Sequence, residues 1–400
     1  MAVTMTRGAM SLLCAASLVP VALAGCQGTN PEEEIRALGT NPLGIKEERI
    51  NKETVCFVTR MLNDTVDIQV TGDLFHLDAF DASTRVILLM SGSTGRRAVW
   101  DPGGFLGLAR RLARAGYVVV TFDKPGTGES PYPGTGFGFK VTESDNVWMD
   151  HQIVEEIQFG KYVISDSTCP NGAPAPFPSP NVIVTAHSVS AAEAIEMAAL
   201  YPDDNVGGLV LLGAQSAGVA APNKFLVDFA NAQPGVEFPY LFPDRSYCMS
   251  AFIYAPGIDA GQAARICDEP TAPRGVLLTA GALRMRNAKT NIATVENVNR
   301  IPVLKVWGDE DPLIPPPYWT PPPGYTAPAQ VDLGAADDAL WESMCIRAPG
   351  EAPCDVTTYH QPDASHASMV HYSVAEMADV ELNWLAARGL TAHDDGNSVP

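Results

Sequence analysis

The chain has 400 residues, 46% of them apolar, which suits one large α/β domain with an insertion, or two ordinary domains, and excludes disorder as its theme. Its formal net charge is −20, from 26 basic against 46 acidic side chains. That balance argues against nucleic acid as a partner, because phosphate backbones are held by clustered Lys and Arg, and its plain meaning is solubility.

The N-terminus carries Arg7, an apolar run over 9–24 and then Leu23-Ala24-Gly25-Cys26. The run is too short for a membrane span and ends in small residues, as an export signal does. Leu-Ala-Gly-Cys resembles the lipobox of bacterial lipoproteins. The resemblance implies that residues 1–25 are removed and that Cys26 becomes the lipidated first residue; an ordinary secretory signal with a chance cysteine is the alternative. Gln27 in place of Asp after the cysteine implies an exported chain of the bacterial cell envelope, anchored to the outer membrane or cell surface. Six further cysteines remain, and an even number in an exported chain suggests disulfides. The close pairs Cys248/Cys267 and Cys345/Cys354 are the local expectation, leaving Cys56 with Cys169. None has the spacing of a zinc site, so no metal is expected.

Residues 26–52 are polar, with Asn30-Pro31 and Asn41-Pro42, and read as a tether. From Thr54 the composition turns strand-like. Val55-Cys56-Phe57-Val58 and the alternating Thr65-Val66-Asp67-Ile68-Gln69-Val70 predict an antiparallel hairpin around Asn63-Asp64, built of edge strands. Arg85-Val86-Ile87-Leu88-Leu89-Met90 is a continuous apolar run of the kind buried in a parallel sheet. It opens into Ser91-Gly92-Ser93-Thr94-Gly95, small residues that let backbone amides approach a ligand. A helix follows, with Phe105, Leu108, Leu112 and Ala115 on one face, stopped by Gly116. The strand Tyr117-Val118-Val119-Val120-Thr121-Phe122 completes a βαβ unit, so the sheet here is parallel. After it stands Asp123-Lys124-Pro125-Gly126-Thr127-Gly128-Glu129-Ser130, whose Gly-x-Gly lacks the third glycine and the Lys-Ser/Thr ending of phosphate cradles. Val147, Met149, Ile153, Ile157 and Val163 predict a cover for the sheet, and 170–180 is a Pro-rich loop.

The stretch Val182-Ile183-Val184-Thr185-Ala186-His187-Ser188-Val189-Ser190-Ala191-Ala192 passes from a β-branched run through small residues around one serine into helical sequence. That is a strand, a tight turn and a helix. A turn so sharp strains its central residue and tolerates only small side chains two positions to either side, which Ala186 and Ser190 supply. It raises Ser188 Oγ above the strand ends and puts the Val189 amide at a helix N-terminus, where an anion is favoured.

Past the serine helix, ending near Tyr201-Pro202, Val206-Gly207-Gly208-Leu209-Val210-Leu211-Leu212-Gly213 is another buried strand. Residues 214–300 lose the regular pattern and read as a cap over the strand ends, its aromatic residues also able to fill a small core of their own. Sheet character returns at Ile301-Pro302-Val303-Leu304-Lys305-Val306-Trp307, followed by Gly308-Asp309-Glu310-Asp311-Pro312-Leu313-Ile314-Pro315. After Pro-rich sequence, the strand-like Asp355-Val356-Thr357-Thr358-Tyr359-His360 leads through a loop to His366. An amphipathic helix over 374–388 closes the domain, and 391–400 is a polar tail.

A serine hydroxyl is a poor nucleophile unless a base lies within reach and a third group orients that base. Asp311 and His366 each follow a strand, giving the order Ser, Asp, His that belongs to α/β-hydrolases. Across about residues 54 to 390 the chain resembles that superfamily. Asp123-Lys124-Pro125-Gly126-Thr127-Gly128-Glu129-Ser130 is similar to its Asp-Arg-Pro-Gly-x-Gly-x-Ser turn, and Gly308-x-x-Asp311-x-x-x-Pro315 to its acid loop. The resemblance implies an α/β-hydrolase fold with a core of 53–213 and 301–390 around the 214–300 cap. It implies Ser188 as nucleophile, His366 as base and then acid, and Asp311 as the orienting carboxylate. The oxyanion would lie between the Val189 amide and an amide after the first parallel strand; Ser91-Gly92-Ser93 replaces the usual His-Gly-x there, making Ser93 the candidate, with Thr94 as its rival.

Asp309 competes with Asp311. His360, inside a strand, and His371, near the final helix, compete with His366. His187 is read as a support of the turn, His76 and His151 as surface or packing residues. The expected activity is cleavage of a small-molecule or lipid-like carboxylic ester through an acyl-enzyme, with no metal or organic cofactor. Amide hydrolysis as in capped aminopeptidases, with Asp228, Glu237, Asp244 or Asp259 meeting a substrate ammonium, is the alternative, and a non-catalytic surface lipoprotein is a third. Oligomeric state is not legible.

Overall fold

The continuous apolar runs become the middle of a ten-stranded sheet. In the computed structural model the described residues are 49–63, 65–78, 80–81, 83–92, 97–101, 107–125, 129–130, 143–165, 173–174, 179, 181–213, 301–308, 354–362, 364, 366, 368–370 and 373–393. All lie in the unit Ile45–Pro400. Cys26, the expected cap and the final tail from 394 onward lie outside them.

The strands are β1 (Asn51–Thr59), β2 (Ile68–His76), β3 (Val86–Met90), β4 (Val118–Phe122), β5 (Val163–Ser165), β6 (Ala173–Pro174), β7 (Val182–His187), β8 (Val206–Leu212), β9 (Val303–Gly308) and β10 (Val356–Gln361). Their order is β10-β9-β8-β7-β3-β4-β2-β1-β5-β6. Neighbours from β10 to β4 run parallel; the β4–β2 pair and everything beyond it is antiparallel. After β3 the chain first builds outward through β4, and from β7 onward it builds on the other side of β3. The crevice at the C-terminal ends of β3 and β7 is therefore a topological switch point, where open α/β sheets bind ligands.

The helices are α1 (Leu108–Arg114), α2 (Glu143–Phe159), α3 (Val189–Leu200) and α4 (Val374–Ala386). Leu108 and Leu112 of α1 and Met377, Trp384 and Leu385 of α4 share one core with Ile87, Leu89, Ile183, Val210 and Leu212 of the sheet. Ile153 and Ile157 of α2 and Ala194, Ile195 and Ala198 of α3 share another with Leu88, Val120, Val184, Leu209 and Leu211. Alternate residues of each central strand thus face opposite layers, which is why these strands are apolar throughout rather than at every second position. No helix among the described residues is long and apolar enough to cross a membrane.

The opening hairpin differs from expectation. Its strands pair in the register Thr59↔Ile68, so Thr65-Val66-Asp67 lie in the connection instead of in the second strand. Neither is an edge strand, because β2 pairs with β4 and β1 with β5. The short β5–β6 pair, drawn partly from the Pro-rich loop, covers the outer side of β1, and Pro174 stands on the outermost strand, the place in a sheet that tolerates proline.

Cys56 and Cys354 are disulfide-bonded. Seven strand spacings separate β1 from β10 in the sheet, roughly 34 Å at the usual spacing, so they do not bond each other and each bonds a cysteine outside the described residues. Cys169, Cys248, Cys267 and Cys345 all lie there.

Candidate active site

Ser188 stands between the last residue of β7 and the first of α3, with φ 58° and ψ −122°. This combination lies outside the left-handed helical well and is strained for any residue with a Cβ. Two main-chain bonds hold it there: Ser188 N–H donates to the Leu212 carbonyl of β8 at 2.8 Å, and the Ser188 carbonyl accepts from Ala191 N–H at 3.0 Å. The neighbouring strand makes room. Register places Met90 beside Ala186, so Gly92 runs alongside Ser188, and a Cβ on Gly92 would sit 2.9 Å from the Ser188 Cβ.

His366 reaches the same point from the segment after β10. Its Nε2 lies 2.9 Å from Ser188 Oγ. Behind the ring is Gly213, at the end of β8 with φ +54°, where a Cβ would meet His366 Nδ1 at 3.1 Å and Cε1 at 3.2 Å. Glycine is required at 213 both by its backbone and by this approach.

His187 supports His366 as well as the turn. Its Nε2–H donates to the His366 carbonyl at 3.0 Å, and the two rings lie 4.8 Å apart. Because the carbonyl only accepts, the proton is on Nε2. Burial pushes the His187 pKa well below its ordinary value, nearby His366 adds to this, and the hydrogen bond opposes it, so His187 is a neutral donor.

The loop after β3 is fixed from its base. Ser91, in the place where the resemblance leads one to look for histidine, accepts the Trp100 indole N–H on Oγ at 2.8 Å, and its carbonyl accepts from Ser190 Oγ at 2.6 Å. Ser190 Oγ also lies 2.9 Å from Glu193 Oε2, which contacts the Lys124 ammonium; Asn146 Nδ2 donates to Glu193 Oε1 at 3.1 Å. Asp150 completes this buried group, 4.0 Å from Lys124. Burial pushes Asp150 up to about 7, Lys124 opposing and Glu193 reinforcing the shift. The turn after β4 is pinned too. Asp123 accepts the amides of Arg97 at 2.9 Å and Glu129 at 3.0 Å, and Ser130 Oγ accepts the Thr71 amide at 2.9 Å. Burial raises the Asp123 pKa against the pull of those amides and of the Arg97 guanidinium.

Of the residues singled out in the sequence, Ser188 and His366 come together, and the Val189 amide begins the helix beside them. Ser93, Thr94, Asp309, Asp311 and His371 lie outside the described residues; the chain bearing the two aspartates continues from Gly308 at the C-terminal end of β9. His360 is within β10, paired with Trp307. His76 packs on Phe80, ring centroids 4.3 Å apart. His151 is more than a surface residue: its Nδ1 lies 2.8 Å from Asp204 and its ring stacks on Tyr201 at 3.9 Å. Sequence reasoning gave no role to Gly213 or Glu193 and named Ser190 for its small size alone, not for its hydrogen bonds. The signal for the last two was present, since Ser190-x-x-Glu193 looks like a capping box, but the cap position belongs to Ser188 and the two side chains meet each other instead.

No functionally curated protein is detectably similar in sequence. Among solved structures, Rv0554 of Mycobacterium tuberculosis superimposes with a TM-score of 0.53 at 18% identity, over 83% of this chain and 98% of that one. A thermophilic esterase of Thermogutta terrifontis gives 0.52 at 14% identity, over 83% and 98%. A structure from work on carboxylesterases of the thaumarchaeon Nitrososphaera gargenis gives 0.50 at 11%, over 82% and 98%. At such identities the likeness is one of fold. The signature of the Alpha/beta hydrolase family matches residues 87–380, which take in β3 through most of α4, Ser188 and His366. With this sheet order and a strained serine at its switch point, the chain belongs to the alpha/beta hydrolase family.

Proposed function

We propose that the chain is a serine hydrolase that cleaves carboxylic esters through an acyl-enzyme. The observation that carries this reading is the 2.9 Å approach of His366 Nε2 to the hydroxyl of a backbone-strained Ser188 at the switch point. Ser188 Oγ attacks the acyl carbon while its proton passes to His366 Nε2. The carbonyl electrons move to an oxyanion received by the Val189 amide and an amide of the loop after β3, Ser93 being the candidate. The carbon–oxygen bond to the alcohol then breaks, and His366 returns the proton to the departing oxygen. Water repeats the attack: His366 takes its proton, the acid is released, and Ser188 recovers its hydrogen. Asp311 is assigned the orientation of the imidazole. The reaction calls for no metal or organic cofactor.

The same reading gives the chain a lipoprotein signal over 1–25, lipidation at Cys26, a tether over 26–52 and a cap over 214–300, with an exported, membrane-anchored location. It pairs Cys56 with Cys169 and Cys345 with Cys354. Palmitate labelling of wild type and Cys26→Ser in a bacterial host tests the anchor; label in both would remove it.

The activity is tested with p-nitrophenyl esters of short and long acyl chains and an aminoacyl p-nitroanilide, with Ser188→Ala as control. Ester cleavage lost in the variant is the expected result. Cleavage of the anilide alone would replace the esterase reading by a peptidase one. No turnover, together with no labelling of Ser188 by a fluorophosphonate, would end the catalytic reading.

A further inference from the structure

The nucleophile helix and the loop that carries the candidate oxyanion amide come from strands β7 and β3, and something must set the distance between them. One hydroxyl joins them directly. Ser190, fully buried in the first turn of α3, reaches the Ser91 carbonyl at 2.6 Å. A planar trans peptide points its N–H away from its C=O, so a fixed Ser91 carbonyl also fixes the plane entering Gly92.

The hydroxyl is itself held. Ser190 has one proton and two acceptors in reach, the Ser91 carbonyl and Glu193 Oε2 at 2.9 Å. Glu193 is anchored by the Lys124 ammonium from the turn after β4 and by Asn146 of α2. Through Glu193, the turn after β4 and helix α2 are joined to Ser190 and so to the end of β3. The turn itself asks only for smallness at position 190, which glycine or alanine would meet equally. A hydroxyl wired to a buried carboxylate exceeds that demand.

We infer that Ser190, backed by Glu193, is a positioning residue that holds Ser91-Gly92, where the loop after β3 begins, against the Ser188-Val189 turn, and so tunes the oxyanion pocket of Ser188. This rests on the hydrolase reading above. The effect is on the transition state: the pocket receives charge that exists only after attack, so its loss lowers kcat with little change in KM. Misplacing a donor by a fraction of an ångström to an ångström costs on the order of 10-fold to 10²-fold in rate.

The test compares the full mature chain with Ser190→Ala, Ser190→Gly and Glu193→Gln. Measured are kcat and KM for p-nitrophenyl acetate, Tm, and inhibition by a trifluoromethyl ketone, to whose carbonyl carbon Ser188 adds to leave an oxyanion in the pocket. Tyr117→Phe serves as the control for stability alone, since it deletes a buried hydroxyl that donates to the Leu390 carbonyl at 2.7 Å away from the site. Ser190→Ala and Ser190→Gly should lose about 10-fold or more in kcat with KM within about two-fold, and lose ketone affinity by a matching factor. Glu193→Gln should fall between them and wild type, and Tyr117→Phe should keep wild-type kcat at a comparable Tm loss. Wild-type kcat and ketone affinity in Ser190→Ala would overturn the positioning role while leaving the hydrolase reading intact. So would losses no greater than those of Tyr117→Phe. A wild-type chain that neither turns over ester nor labels at Ser188 would overturn both.

Discussion

The two ends of α3 are alike on paper and opposite in kind. At its start, Ser188 has a positive φ and a histidine at 2.9 Å; just past its end, Asn205 has a positive φ and His151 meets Asp204 at 2.8 Å. The difference lies in what each backbone costs. Asn205, at φ 47° and ψ 48°, is in the left-handed well that asparagine visits readily. Ser188, at ψ −122°, is in a region serine does not choose, at a cost of about 1–3 kcal/mol. At the C-terminal end the histidine is stacked on Tyr201 and bonded to a carboxylate, which is packing. At the N-terminal end it faces a hydroxyl at the mouth of a topological switch. A histidine beside an acid does not by itself make a site; backbone strain at a serine that meets a histidine points to one.

The largest expected effect is at the strained end. Ser188→Ala should reduce ester turnover by on the order of 10³-fold or more, read as kcat on purified protein, and retention of turnover would erase the contrast.

Along β7, ahead of the turn, Thr185 Oγ1 donates to Glu381 Oε1 of α4 at 2.8 Å, and Glu381 is fully buried. Burial pushes this carboxyl up to about 7, against the Thr185 bond. A raised carboxyl pKa means that its full contribution is present below about 4.5 and is lost as pH climbs through about 7. The loss is worth roughly 3 kcal/mol, and Glu381→Gln should remove it. Asp150 and Glu156, also pushed up to about 7, add to the wild-type slope. The measure is therefore the difference in urea stability between wild type and variant from pH 5 to 9; parallel curves would refute the assignment.

A smaller effect is expected at the far end. Asp204→Asn should cost about 1–2 kcal/mol in urea unfolding while leaving kcat within about two-fold. A fall in kcat like that of Ser188→Ala would make the two ends equivalent after all. Smallest is the strain itself: Ser188→Gly should be more stable than Ser188→Ala by about 1 kcal/mol, because glycine accepts the backbone that alanine resists. Equal stability would mean that the turn carries no strain.

Much of this arrangement was legible in the sequence because both faces of the central strands are buried. Val86-Ile87-Leu88-Leu89-Met90 and Val182-Ile183-Val184 show unbroken apolar runs for that reason, and the elbow was visible because Ala186 and Ser190 are small where the turn tolerates nothing larger. β5 and β6 were not legible: three and two residues long, one of them a proline, they owe their pairing to the open side of β1 rather than to any pattern of their own. His151 and Asp204 lie 53 positions apart, and Ser190, Glu193 and Lys124 are joined only after β4 and α3 have docked. Such contacts are made by tertiary packing and leave no periodic trace.

A methyl group at position 213 would press to within 3.1 Å of the His366 ring. Because position 213 carries no side chain, the imidazole lies closer to the end of β8 than any other residue there would allow. Ion pairs weaken as salt screens them, whereas a steric fit does not. The room that glycine leaves for His366 is thus a contribution of shape, one that ionic strength does not touch.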